Sequence, residues 1–222
     1  MPSGVQSGLA GVVLAGGRAS RYGEQAKGLL RVGGERIIDR VAASLRGVTT
    51  ELLLIANDPT AQTWLPGVPT VADVRPGFGS LGGIYSALVQ AQGPALVVAW
   101  DMPFVSRELL LELARQAASG QPPPDVVVPE SSSHRGVEPL CAYYGPACVG
   151  PIGRQLDAGD LRVIGFYESV RVVRVPVEAI RRIGDPDILF HNVNTPDDLV
   201  VAERLDGSSR DAATSDRSRQ EA

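Results

Sequence analysis

Leu9-Ala-Gly-Val-Val-Leu-Ala-Gly-Gly-Arg-Ala-Ser-Arg-Tyr-Gly23, with Lys27 four residues on, reads as a buried strand that breaks at once into a glycine turn. Leu9 to Leu14 is an unbroken apolar run, the pattern of a strand covered on both faces. Gly16 and Gly17 allow backbone angles that a side chain forbids and let a ligand approach the main chain. Successive N–H groups in such a turn form a concavity suited to an anion. Arg18, Arg21 and Lys27 set positive charge beside it. Arginine clamps phosphate oxygens bidentately and lysine supplies a compact charge, so a polyphosphate fits. The stretch matches neither the P-loop pattern nor the GxGxxG fingerprint. A glycine turn by itself also serves purely structural ends.

Working outward, strand signals alternate with helical ones. The spacing of Ile37, Ile38, Val41, Ala42 and Leu45 predicts a helix over Arg36–Leu45, stopped at Gly47. Glu51–Ala56, Thr70–Ala72, Ala95–Ala99 and Asp125–Pro129 read as strands, and Leu140–Tyr144 as a strand antiparallel to the others. Ile84–Ala91 reads as a helix, and Ser106 as the N-cap of another. Further on, Ala147–Leu156 reads as a helix, Val170–Val175 as a strand and Asp197–Leu205 as a final helix, with Thr195 as N-cap and Pro196 in the first turn. The expected fold class is α/β: a single Rossmann-like three-layer α/β/α domain with a mostly parallel sheet. Residues 1–8 form an N-terminal extension, 9–205 the domain, and 206–222 a polar tail too poor in apolar residues to order itself.

The 222 residues carry a formal charge of −4, which argues against a nucleic-acid binder but not against a small anionic ligand, which needs only local positive charge. No apolar run reaches the ~18 residues of a membrane span. Met1 to Gly8 lacks a basic cluster followed by an apolar core, so no signal peptide and a cytoplasmic location are expected. Cys141 and Cys148 have no metal-ligand or disulfide-framework spacing and are expected as reduced thiols.

Open parallel sheets bind ligands beyond the carboxyl ends of their strands. The polar residues fall there: the glycine turn after the first strand, Asn57 after the second, Asp73 after the third and Asp101 after the fourth. Asp101, between five apolar residues and Met102-Pro103, suits a Mg²⁺ ion that bridges to substrate phosphates; it equally suits a loop cap. Asp73 fits a ribose hydroxyl, a bound water or a cap, and Asn57 a base contact or an Asx-turn with Asp58-Pro59. His134 and His191 suggest no shared site, and no nucleophile–histidine arrangement declares itself.

These stretches resemble a known family. LAGGRASRYG with Lys27, WDMPFV around Asp101, EPLCAYY at Glu138–Tyr144 and NVNTPDDL at Asn192–Leu199 together look like the molybdenum cofactor guanylyltransferases. The resemblance spans roughly residues 9 to 205. It implies a nucleotide-diphospho-sugar transferase type of fold, GTP and molybdopterin as substrates, Mg²⁺ as cofactor, and other cofactor-biosynthesis proteins or acceptor molybdoenzymes as partners. It implies that Leu14, Ala15 and Gly16 contact the guanine nucleotide through the backbone, that Lys27 binds its phosphates, and that Asn57 and Asp73 reach base and ribose. Gly17 is expected beside them at the nucleotide, and Arg21, Lys27 and Asp101 are the expected catalytic residues, Arg21 and Lys27 by stabilising charge on the phosphates. Asp101 would touch both nucleotide and metal. Arg135, Pro139, Leu140, Asn192 and Asn194 would lie on the molybdopterin side or support the metal. LAGG in place of the related LAAG favours guanine over cytosine. The family's Asp before the lysine is replaced here by Ala26, with Glu24 displaced. The alternatives are a cytidylyl- or sugar-phosphate nucleotidylyltransferase on the same fold, and a GTP-binding module without turnover.

Overall fold

The structure is a computed structural model that describes residues 8–16 and 26–220, with side chains described to residue 208. Its centre is a seven-stranded sheet made of β1 (Ala10–Ala15), β4 (Glu51–Ala56), β5 (Thr70–Val71), β6 (Ala95–Ala99), β7 (Val126–Pro129), β8 (Cys141–Tyr144) and β9 (Val172–Val175). Their order across the sheet is β5-β4-β1-β6-β8-β7-β9. β1 pairs in parallel with β4 on one side and with β6 on the other. β8 pairs antiparallel with both β6 and β7, as its sequence predicts. A two-stranded hairpin, β2 (Arg31–Val32) and β3 (Glu35–Arg36), stands apart.

Side chains alternate across the pleat. Val13, Leu54, Leu96 and Val98 pack on one face beneath α1 (Ile37–Arg46) and α3 (Arg107–Ala118). Val12, Leu14, Ile55 and Val97 pack on the other, beneath α2 (Gly79–Ala91) and α4 (Val149–Asp157). The three-layer α/β architecture therefore follows from strands apolar on both faces. Cys141 and Cys148 are buried free thiols. Among the described residues, no helix is long and apolar enough to cross a membrane.

Four helices depart from expectation. α2 begins at Gly79, five residues before the predicted Ile84. Its glycines read as loop, but they serve packing: a Cβ on Gly83 would lie 2.4 Å from Leu14 Cδ1, so the helix sits against the end of β1 at a distance that a side chain would forbid. Two short helices, α5 (Val177–Arg181) and α6 (Pro186–Leu189), were not read from the sequence; each is too short to show a full period. The last helix, α7, runs Pro196–Gln220 rather than ending at Leu205, so helix continues where the composition pointed to a disordered tail. Among the residues of this helix whose side chains are described, Ala202 and Asp206 are buried, the latter against Arg40. Once nucleated, a helix gains one hydrogen bond for each added residue whether or not it packs.

Candidate active site

From β1 the chain moves outward to β4 and β5, then returns to the opposite side of β1 as β6. The carboxyl ends of β1 and β6 thus flank a topological switch point, where open sheets form their ligand crevice. A cavity of about 310 Å³ opens there. Leu14, Ala15 and Gly16 supply its β1 side, Ile55 and Ala56 its β4 side, and Ala99, Trp100 and Asp101 its β6 side. The Trp100 N–H donates to the Leu14 carbonyl (3.2 Å), which pins the two strand ends together.

Lys27 opens a single 3-10 turn, Lys27–Leu29. A Cβ on Gly28 would lie 2.4 Å from Trp100 Cε3, so glycine lets this turn press on the indole and brings the lysine over the strand ends. The Lys27 ammonium donates to Asn194 Oδ1 at 2.7 Å and lies close enough to Asp101 to act on its carboxyl. Burial raises Asp101 above the ordinary carboxylate range, and Lys27 and the residue's own backbone N–H pull it partly back. The closing loop is tied to the same strand end, since Val193 N–H donates to the Asp101 carbonyl at 2.8 Å. Asn192 and Asn194 line the cavity from this loop.

The reversed strand supplies the opposite wall. Because β8 runs against β6, its first residues meet the last residues of β6: Ala99 N–H donates to the Leu140 carbonyl at 2.8 Å. Glu138 and Leu140 therefore line the cavity, with Arg135 from the preceding loop. Burial raises the Glu138 carboxyl; the Leu140 N–H and Arg135 oppose that rise and Asp101 adds to it. The Asp101 carboxylate thus acts on Glu138 within the cavity.

A second recess of about 490 Å³ adjoins the first, sharing Ala15, Gly16, Asp73, Gly79 and Trp100. Asn57 stands here, clasped to Asp73: its Nδ2 donates to Asp73 Oδ2 (2.6 Å), and Asp73 N–H donates back to its Oδ1 (2.8 Å). The Asx-turn belongs to Asp58, which accepts from Thr60 N–H at 2.7 Å. Asp73 Oδ1 is buried without a hydrogen-bond partner, an acceptor open to a ligand donor. Trp64 and Trp100 stack at 5.0 Å along the wall of this recess.

Of the residues singled out by sequence, Leu14, Ala15, Gly16, Lys27, Asp73, Asp101, Arg135, Leu140, Asn192 and Asn194 all line the main cavity. Asn57 lies in the adjoining recess. Pro139 does not line either: it is buried in the wall, its carbonyl taken by the Tyr144 hydroxyl at 2.7 Å. Gly17 and Arg21 lie outside the described residues. Glu138 was missed as a site residue, although the acid heading an antiparallel strand was visible in EPLCAYY. His134 is exposed, and His191 Nε2 bonds the Asp198 carbonyl at 3.0 Å.

The acceptors that share the cavity with Asp101 and are open to a cation are oxygens, its own carboxylate and that of Glu138, while the Asn194 carboxamide oxygen is engaged by Lys27. Among the described residues, no group of three or more His, Cys, Asp or Glu forms a closed metal cage. An open set of hard oxygen ligands fits a divalent ion that keeps water and substrate phosphates in its shell, so the residues present fit a phosphate-bridging cation.

A mostly parallel sheet whose switch point gathers a strand–glycine turn, a lysine, an aspartate and a buried acceptor defines a nucleotide-binding α/β protein of the nucleotidyltransferase class. Residues 11–171 match the MobA-like NTP transferase domain, and the chain belongs to that family. It is 40% identical over 201 residues to a Pelotomaculum thermopropionicum protein named "Probable molybdenum cofactor guanylyltransferase", covering 90% of this chain and 94% of that one. It is 32% identical over 197 residues to the molybdenum cofactor guanylyltransferase of Desulfosudis oleivorans, covering 88% and 94%. Among solved structures, molybdopterin-guanine dinucleotide biosynthesis protein A from Archaeoglobus fulgidus superposes with a TM-score of 0.76 at 29% identity, covering 90% of this chain and 99% of that one.

Proposed function

We propose that this chain transfers GMP from GTP to the terminal phosphate of molybdopterin, forming the guanine dinucleotide and releasing pyrophosphate. The observation that carries this reading is one cavity that gathers Leu14–Gly16, Lys27 and Asp73 from the glycine-turn end together with Arg135, Glu138, Leu140, Asn192 and Asn194 around Asp101. Such a cavity suits two substrates that meet, where a nucleotide-binding module needs only the first group.

The acceptor phosphate is already a nucleophile, so no activated side chain is required. Its oxygen attacks the α-phosphorus of GTP; the bond from that phosphorus to the β-bridging oxygen breaks, and pyrophosphate leaves with the electron pair. What remains for the protein is alignment and charge. Leu14–Gly16 approach the nucleotide through the backbone, and Asp73 Oδ1 accepts from a ribose hydroxyl. Lys27 holds the phosphates. Arg135 faces the acceptor phosphate. Asp101, with Glu138 beside it, would hold Mg²⁺, which offsets charge on the reacting phosphates when bound.

The test is pyrophosphate release with Mg²⁺ and molybdopterin, offering GTP, CTP and ATP separately. Release with GTP alone is expected. Preference for CTP overturns the base assignment, and folded protein that binds GTP without release favours the binding module.

A further inference from the structure

The N-terminus of α7 is closed by a reciprocal box. Asp198 Oδ2 accepts from two backbone N–H groups, Asn194 at 2.9 Å and Thr195 at 2.7 Å. In return, Asp198 N–H donates to Thr195 Oγ1 at 3.2 Å. This is the Ser/Thr-x-x-acid cap, which satisfies donors that the first helical turn leaves open. Burial pulls the Asp198 carboxyl up, but the N–H groups of Asn194 and Thr195 and the Thr195 hydroxyl outweigh it and hold the acid below its ordinary range. Asp198 does not itself line the cavity. One of the residues it grips does: the Asn194 carboxamide holds the Lys27 ammonium at 2.7 Å.

We infer that Asp198 is a positioning residue for the phosphate lysine, acting through Asn194. The chain of contacts is carboxylate to Asn194 backbone, Asn194 carboxamide to Lys27 ammonium. An ammonium has three donors. One is spent on Asn194, which fixes the direction of the other two toward Asp101 and the phosphates. Without that anchor a lysine has four rotatable bonds to settle, and the cost of ordering it falls on nucleotide binding. Asn194, which the family resemblance assigns to the acceptor side, thereby acts on the nucleotide side as well.

This assignment rests on the nucleotidyltransferase reading and is tested on nucleotide binding alone, without acceptor. Both tryptophans of the chain stand beside the cavity, so intrinsic fluorescence of the full-length protein reports nucleotide binding. GTP affinity is measured for wild type, Asp198→Ala, Asn194→Ala and the double variant. Each single variant is expected to weaken binding by about five- to tenfold. The double variant is expected to be no weaker than Asn194→Ala, because residues acting in one series are not additive. An Asp198→Ala variant with wild-type affinity overturns the inference, and so do losses that multiply, since a helix cap of purely structural value would add to the loss of Asn194. If Asp198→Ala fails to fold, Asp198→Asn takes its place. Its amide oxygen accepts the same two N–H groups, so near wild-type affinity is expected with Asn194→Ala still impaired; normal binding by Asn194→Ala overturns the relay. Wild type that binds CTP but not GTP overturns the base assignment instead, and the cycle then runs with CTP because lysine reads phosphate rather than base.

Discussion

The sheet has two halves that build a site by opposite means. In the half made of β5, β4, β1 and β6, every strand runs the same way and delivers functional groups just after its last residue: Gly16, Asn57, Asp73 and Asp101. In the half that starts with β8, the strand beside β6 is reversed and delivers its groups just before its first residue, namely Glu138 and Leu140. A rim can therefore be filled from the ends of parallel strands or from the beginnings of antiparallel ones. The parallel half holds the nucleotide in the proposed reaction, the reversed half faces the acceptor, and Asp101 stands at their seam.

That division can be broken by mutation. The largest effect is expected at the seam. Asp101→Ala should lower turnover by about 10³-fold while the fold stays intact by circular dichroism; pyrophosphate release checks it. The same position predicts a gain in stability. Burial raises the Asp101 carboxyl, so the folded state holds its proton more tightly than the unfolded chain does, and ionising it at pH 7 costs stability. Asp101→Asn should raise the melting temperature of nucleotide-free protein by about 2–4 °C at pH 7. At pH ~2.5, more than a unit below the ordinary aspartate pKa of ~3.9, the acid is protonated in both states, and the difference should vanish in a thermal scan at that pH.

Lys27→Ala comes next, with a loss of about 10²-fold in kcat/KM for GTP and a matching loss of GTP affinity. Glu138→Gln sharpens the division: turnover should fall about tenfold while GTP affinity in the absence of metal stays within twofold. If Glu138→Gln weakens metal-free GTP binding as much as Lys27→Ala does, the two halves are not separate. The smallest effect is expected at Arg135→Ala, a rise of about three- to fivefold in KM for the acceptor with KM for GTP unchanged.

The two halves also differed in how much of them could be read beforehand. A polar residue following an apolar strand is a local pattern, and it found Gly16, Asn57, Asp73 and Asp101 without help. Glu138 escaped because the same rule looks to the wrong end of a reversed strand. The antiparallel direction of Leu140–Tyr144 was read correctly, so the acid preceding it could have been placed on the rim by geometry alone. Arg135, Leu140, Asn192 and Asn194 came from family resemblance, not from spacing. The α2 glycines were read as loop because their reason, close approach to Leu14, is a tertiary fact. The Lys27–Asn194 bond joins positions 167 apart, and no local pattern encodes such a pair.

That bond also sets a clock on biosynthesis. A chain leaves the ribosome at ~5–20 residues per second, so roughly 10–30 s separate the appearance of Lys27 from that of its carboxamide partner. Throughout that interval the nascent protein has its lysine but lacks the loop that anchors it. The proposed reaction centre is therefore among the last features to be completed. A chain released early, before Asn194, keeps β1 to β9 and the cradle for a nucleotide without the anchored lysine needed to turn it over.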